Sequence, residues 1–73
     1  MTNKIGNLVT LKNKYKYTSL FNQNGSEINI IISNEPLLIL SQPIHHIPNH
    51  IGNHIKILHP DGMIGYTKSH FFK

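Results

Sequence analysis

The stretch His54-Ile55-Lys56-Ile57-Leu58-His59-Pro60-Asp61-Gly62-Met63-Ile64-Gly65-Tyr66-Thr67 decides the fold. Ile55 and Ile57 flank Lys56 at the two-residue period of a strand with one buried face. Pro60-Asp61-Gly62-Met63 is turn chemistry, and Asp-Gly favours a tight hairpin because both residues tolerate positive φ. Ile64-Gly65-Tyr66-Thr67 then reads as the returning strand. With Asp61 and Gly62 as the two central residues, Ile57 faces Tyr66 and His59 faces Ile64. Ile55, Ile57, Ile64 and Tyr66 then share the core face. A slip of one residue would bury Lys56 and Thr67 instead, so the first register is the one expected.

Working outward, the rest of the chain has the same character. Leu8-Val9-Thr10-Leu11-Lys12 is a short strand bounded by Gly6-Asn7 and Asn13. Residues 13–27 are polar with embedded Tyr15, Tyr17, Leu20 and Phe21. Asn24-Gly25 is a second hairpin signal, of the type I′ kind, so this stretch reads as a long irregular hairpin. Ile28-Asn29-Ile30-Ile31-Ile32 is its returning arm. Glu35-Pro36 breaks the run before the apolar strand Leu37-Leu38-Ile39-Leu40, which Gln42-Pro43 ends. Residues 43–53 read as a loop, because Pro48 and Gly52 oppose a helix. Phe71 and Phe72, so near the C-terminal Lys73, imply a tail tied to the core.

Composition agrees with an all-β chain. Among 73 residues there are twelve Ile and no Ala, which suits pleated surfaces over helices. That length makes one domain, residues 1–73. The absence of Cys excludes disulfides and Cys-based zinc sites. The Ile, Asn and Lys bias fits an AT-rich coding sequence, such as that of a phage of an AT-rich host. No apolar run reaches the ~18 residues of a membrane span. Met1 to Asn7 lacks the apolar core of a signal peptide. The expected location is therefore the host-cell cytoplasm or a virion.

The order of elements has a known counterpart. Gly62-Met63-Ile64-Gly65-Tyr66-Thr67-Lys68-Ser69-His70-Phe71-Phe72 resembles the end of SH3 domains, where a distal hairpin leads through Gly-Tyr to a final core residue. Glu35-Pro36-Leu37-Leu38-Ile39-Leu40 resembles the entry to their second strand. The resemblance implies a single five-stranded SH3-like barrel, with 13–27 as the RT-type loop and 43–53 as the n-Src-type loop. The family's proline-binding groove is not carried over. Its Trp has no counterpart in His54-Ile55-Lys56-Ile57, its groove Pro is Lys68, and only Phe71 stands where a groove Tyr would be.

Few residues point to chemistry. The acids are Glu27, Glu35 and Asp61 alone. No Ser sits in a nucleophile elbow and no Gly-rich phosphate loop occurs. A catalytic site and a cofactor are therefore not expected. His45, His46, His50 and His54 are weak metal candidates, since imidazole is a common ligand, but Pro48 and Gly52 prevent their stacking on a helix. Net charge is +4 with His neutral, carried by Lys without Arg. Lys12, Lys14 and Lys16 cluster, interleaved with Tyr15 and Tyr17.

Two functions are compatible with these features. The first is a non-enzymatic protein-binding or assembly module, a virion component or a binder of a host protein. Its contact surface is expected at Tyr15, Tyr17, Lys68, His70 and Phe71, which converge in an SH3 arrangement. The second is a small nucleic-acid-binding barrel with a basic face at Lys12, Lys14 and Lys16, because Lys and Tyr together can follow a phosphate backbone and stack bases.

Overall fold

The computed structural model describes residues 5–42 and 44–72. Among them are seven short strands, one 3₁₀ turn and no α-helix. The strands are β1 (Leu8–Val9), β2 (Tyr17–Phe21), β3 (Glu27–Ile32), β4 (Leu37–Ile39), β5 (His45–His46), β6 (Asn53–Leu58) and β7 (Ile64–Lys68). The 3₁₀ turn is Ser69–Phe71. All pairings are antiparallel, in the order β1-β4-β6-β7-β2-β3, with β5 also on β6. The sheet curls into a half-barrel, and a bridge from Leu11 to Phe72 ties the chain's end beside β1.

The all-β reading holds, and the deciding hairpin forms, but in the other register. Lys56 faces Tyr66, Ile57 faces Gly65 and Leu58 faces Ile64. The Gly62 N–H donates to the His59 carbonyl and the His59 N–H to the Met63 carbonyl, both at 2.8 Å. The loop is therefore the three residues Pro60-Asp61-Gly62, with Gly62 at φ +93°. Pro60 is the cause. A two-residue loop would place it in a paired position that needs an N–H, which proline lacks. In the three-residue loop it occupies the turn position that its fixed φ suits. The face shared with Ile55 and Ile57 consequently carries Gly65 and Thr67, and Ile64 is half exposed.

The β2–β3 hairpin uses the same loop. Gly25 N–H donates to the Asn22 carbonyl and Asn22 N–H to the Ser26 carbonyl. Gly25 has φ +88°. Asn22 Oδ1 accepts the N–H groups of Asn24 and Ser26. Within 13–27, Tyr17–Phe21 is thus a regular strand. Its pairing shifts by one between Leu20 and Phe21, leaving Ile28 as a bulge that bends the ribbon. Residues 44–53 are also not wholly loop, since His45 and His46 pair with His54 and Asn53. The expected strand end at Pro43 lies outside the described residues.

The core lies inside the curl. Val9, Leu11, Leu20, Ile31, Leu37, Ile39, Ile55, Ile57 and Phe72 form one buried cluster, with Tyr15, Ile28 and Phe71 packed against it. Gly65 lets β2 cross close over β7. A Cβ there would lie 2.6 Å from Leu20 Cγ and 2.8 Å from the Phe21 carbonyl oxygen.

One edge of the sheet is β3, whose free N–H groups would invite another strand. Two of them are capped by side chains. The Ile30 N–H donates to Asn29 Oδ1 and the Ile32 N–H to Glu35 Oε1. Both caps continue into the β6–β7 loop. Asn29 donates to Asp61 Oδ2 at 2.6 Å, and Glu35 Oε1 lies 2.9 Å from His59 Nε2.

Candidate docking site at the aromatic end of the half-barrel

The loop before β2 turns back on itself, with the Tyr15 N–H donating to the Lys12 carbonyl. Lys12 N–H donates to the Phe71 carbonyl at 2.8 Å. These bonds bring two distant segments side by side. The Tyr15 ring meets Phe71 edge-on at 4.9 Å, and His70 lies against Phe71 at 4.4 Å. Lys14 Nζ stands 5.2 Å over the Tyr15 ring. Tyr15, His70 and Phe71 therefore form one aromatic cluster flanked by the basic loop. Lys14 and Lys16 are exposed and Lys12 is half buried. Tyr17 stands apart. It pairs with Ile32 towards the sheet edge and is 65% exposed.

Behind Phe71 a cavity of about 220 Å³ opens between β2, the 47–52 loop, β6 and β7. Its lining includes Phe21, His50, His54, Thr67, Lys68 and Phe71. Lys68 thus joins the aromatic cluster through the cavity. His50 is held by its Nε2, 3.1 Å from the Gly25 carbonyl, and by the Phe21 ring at 4.1 Å. Gly25 permits this contact, because a Cβ there would sit against the Pro48 carbonyl oxygen at 2.3 Å.

His54 and Thr67 are buried outright, yet His54 Nε2 and Thr67 Oγ1 have no hydrogen-bond partner. The other ring nitrogen, Nδ1, lies 3.2 Å from the Gly52 carbonyl. A carbonyl only accepts, so Nδ1 carries the proton and Nε2 is a bare acceptor. Burial lowers the pKa of His54 despite the opposing Gly52 bond. Electrostatic interaction with His50, Lys68 and His46 lowers it further. Its imidazole is neutral near pH 7.

The four clustered histidines do not converge. His45 packs on Tyr66 and His46 is exposed, whereas His50 and His54 sit 5.8 Å apart by ring centres. Among the described residues, no three His, Cys, Asp or Glu are placed to hold one metal ion.

A different histidine carries the strongest electrostatics. His59 is buried, with Nε2 2.9 Å from Glu35 Oε1 and Nδ1 3.0 Å from Asp61 Oδ1. Burial alone would lower its pKa. The hydrogen bonds and charges of Glu35 and Asp61 outweigh burial and raise it. The Met63 N–H foremost, with His59 and Asn29, holds the Asp61 carboxyl below its usual range. Both ring nitrogens are occupied by carboxylates, so the group clamps the β6–β7 loop to the β3 edge.

Of the residues expected at the surface, Tyr15, Lys68, His70 and Phe71 lie near one another, whereas Tyr17 does not join them. Sequence reading does not anticipate Thr67, groups Phe21 with the basic loop and takes His54 only as a metal candidate. The one available signal was that the alternative hairpin register buries Thr67. Searches against family models, curated proteins and solved structures find no match to this chain. Among the described residues no helix is long and apolar enough to cross a membrane.

Proposed function

We propose that this chain is a non-enzymatic docking module, built on an SH3-like barrel, that receives a protein segment across its aromatic end. In this reading the five barrel strands are β1, β4, β6, β7 and the terminal segment bridged through Phe72. The β2–β3 hairpin stands in place of the RT loop, and residues 44–53, the described part of the expected 43–53 loop, stand in place of the n-Src loop. The observation that carries the proposal is the position of Phe71. It joins the half-buried Tyr15 and the exposed His70 to the cavity, so a segment crossing that surface can also send a side chain inward. Tyr and His at such a surface contribute contact area with few rotors to freeze. The flanking Lys12, Lys14, Lys16 and Lys68 favour an acidic segment.

Selection of displayed peptides on the intact chain tests this. Enrichment of peptides that lose at least about tenfold in affinity on the Tyr15→Ala/His70→Ala variant supports docking. Peptides bound equally by wild type and variant contradict it. The basic loop beside Tyr15 also sustains a nucleic-acid reading. That reading requires oligonucleotide affinity that falls steeply with salt. A shift assay at low salt that shows a complex, with no selected peptide, would replace the first reading by the second.

A further inference from the structure

The cavity behind Phe71 has a chemistry of its own. Two buried polar atoms of its lining residues, His54 Nε2 and Thr67 Oγ1, are unpartnered, and these residues are 0% and 1% exposed. A buried polar group without a partner is costly, and a ligand that supplies one recovers that cost. The acceptor is fixed, because Nδ1 is committed to the Gly52 carbonyl. The ligand must therefore donate to Nε2. Thr67 offers a hydroxyl that can donate in return.

The lining selects further. It contains no carboxylate and it includes Lys68, which disfavours an ammonium ligand. A carboxylate finds no donor on His54 Nε2. At His54 Nε2 itself, then, the occupant presents a neutral donor. Phe21, Phe71, His50 and His54 supply aromatic walls, which favour a ring. An indole N–H could satisfy Nε2 but offers nothing to the Thr67 hydroxyl. A phenol does both, donating to Nε2 and accepting from Oγ1. About 220 Å³ accommodates one such ring.

We infer that the cavity is a recognition pocket for a tyrosine side chain of an acidic protein segment, read by His54 Nε2 and Thr67 Oγ1 with Lys68 at its border. This rests on the docking reading and specifies which residue of the segment is read. Phosphorylation of that tyrosine would remove the phenol O–H, so the pocket discriminates against the phosphorylated form.

The test uses side-chain analogues and the full chain. p-Cresol and toluene are titrated separately, followed by amide shifts and by the ¹⁵N shift of His54 Nε2. The inference expects p-cresol to move His54, Thr67 and Phe71, and to bind about tenfold more tightly than toluene. Thr67→Val preserves shape and should reduce that preference severalfold, and His54→Gln serves as the second variant. Equal binding of the two analogues overturns the inference. So does p-cresol binding away from these residues, a preference unchanged in both variants, or no binding of p-cresol at millimolar concentration. Failure here with peptides still lost on Tyr15→Ala/His70→Ala removes only the tyrosine pocket. Success here with peptides bound equally by that variant removes the docking surface and leaves the pocket.

Discussion

Gly65→Ala should be strongly destabilising, although it adds a single methyl group. The added Cβ would lie 2.6 Å from Leu20 Cγ, 2.8 Å from Leu20 Cδ1 and 2.8 Å from the Phe21 carbonyl oxygen. Leu20 is fully buried, so its side chain has no open direction in which to retreat. The Phe21 backbone is held by pairing with Tyr66 on one side and Glu27 on the other. Relief therefore requires β2 to lift from β7. Overpacking of this kind costs about 1–3 kcal/mol, and a rigid backbone neighbour places Gly65 at the upper end. A chain of this size has only about 3–5 kcal/mol in total. At roughly 4–8 °C per kcal/mol, the midpoint should fall by about 10–20 °C. Thermal and urea unfolding followed by circular dichroism measure it. Leu20→Ala removes two of the three close atoms, so the double variant should be less destabilised than the sum of the singles by at least about 1 kcal/mol. A fall of under about 4 °C, or strict additivity, would refute the close crossing of β2 over β7.

Other outcomes follow from the same contacts. His59 has a raised folded pKa, so its contribution is full below about pH 6.5, its unfolded value, and fades as pH rises through the folded one. His54 has a lowered folded pKa, so its neutral burial contributes fully above about pH 6.5, its unfolded value, and is lost as pH falls from there through the lower folded one. The two oppose each other, so urea midpoints from pH 5 to 8 should rise with pH in His59→Gln and fall with pH in His54→Gln. Glu35→Ala leaves His59 Nε2 and the Ile32 N–H without an acceptor and should cost about 1–3 kcal/mol. It also uncaps an edge that carries exposed Ile30 and Ile32, so sedimentation should reveal association with rising concentration. Gly25→Ala opposes a positive φ and the Pro48 carbonyl, and should detach the His50 loop. The ring-current shift of His50 from Phe21 would then be lost.

How much of this was legible in the sequence depends on the range of each interaction. The hairpins were legible because Asn24-Gly25 and Asp61-Gly62 mark them locally. Their registers were not, since a two-residue and a three-residue loop share the same glycine. Pro60, which cannot occupy a paired donor position, was the residue that could have decided. The alternation around Ile55 and Ile57 located the core strand correctly, but it assigned Ile64 and Tyr66 to the wrong face. The order of elements led to the proximity of Tyr15, Lys68, His70 and Phe71, but it also included Tyr17, which points elsewhere because its place in β2 pairs it with Ile32. The cavity was not legible, because its walls come from β2, the His50 loop, β6, β7 and the 3₁₀ turn. The His59 clamp was equally hidden. Glu35 and Asp61 each had a sufficient local reason, strand entry and turn, and only the curl of the sheet brings them to one imidazole.

The proposed docking function depends on where a partner segment lands. Amide shift mapping of the ¹⁵N-labelled chain with a peptide selected on it measures this directly. Perturbations concentrated at Tyr15, His50, His54 and residues 67–71 are predicted, with Ile30 and Ile32 unmoved. Shifts centred on the outer face of β2 and β3, around Tyr17, Ile30 and Ile32, would contradict it.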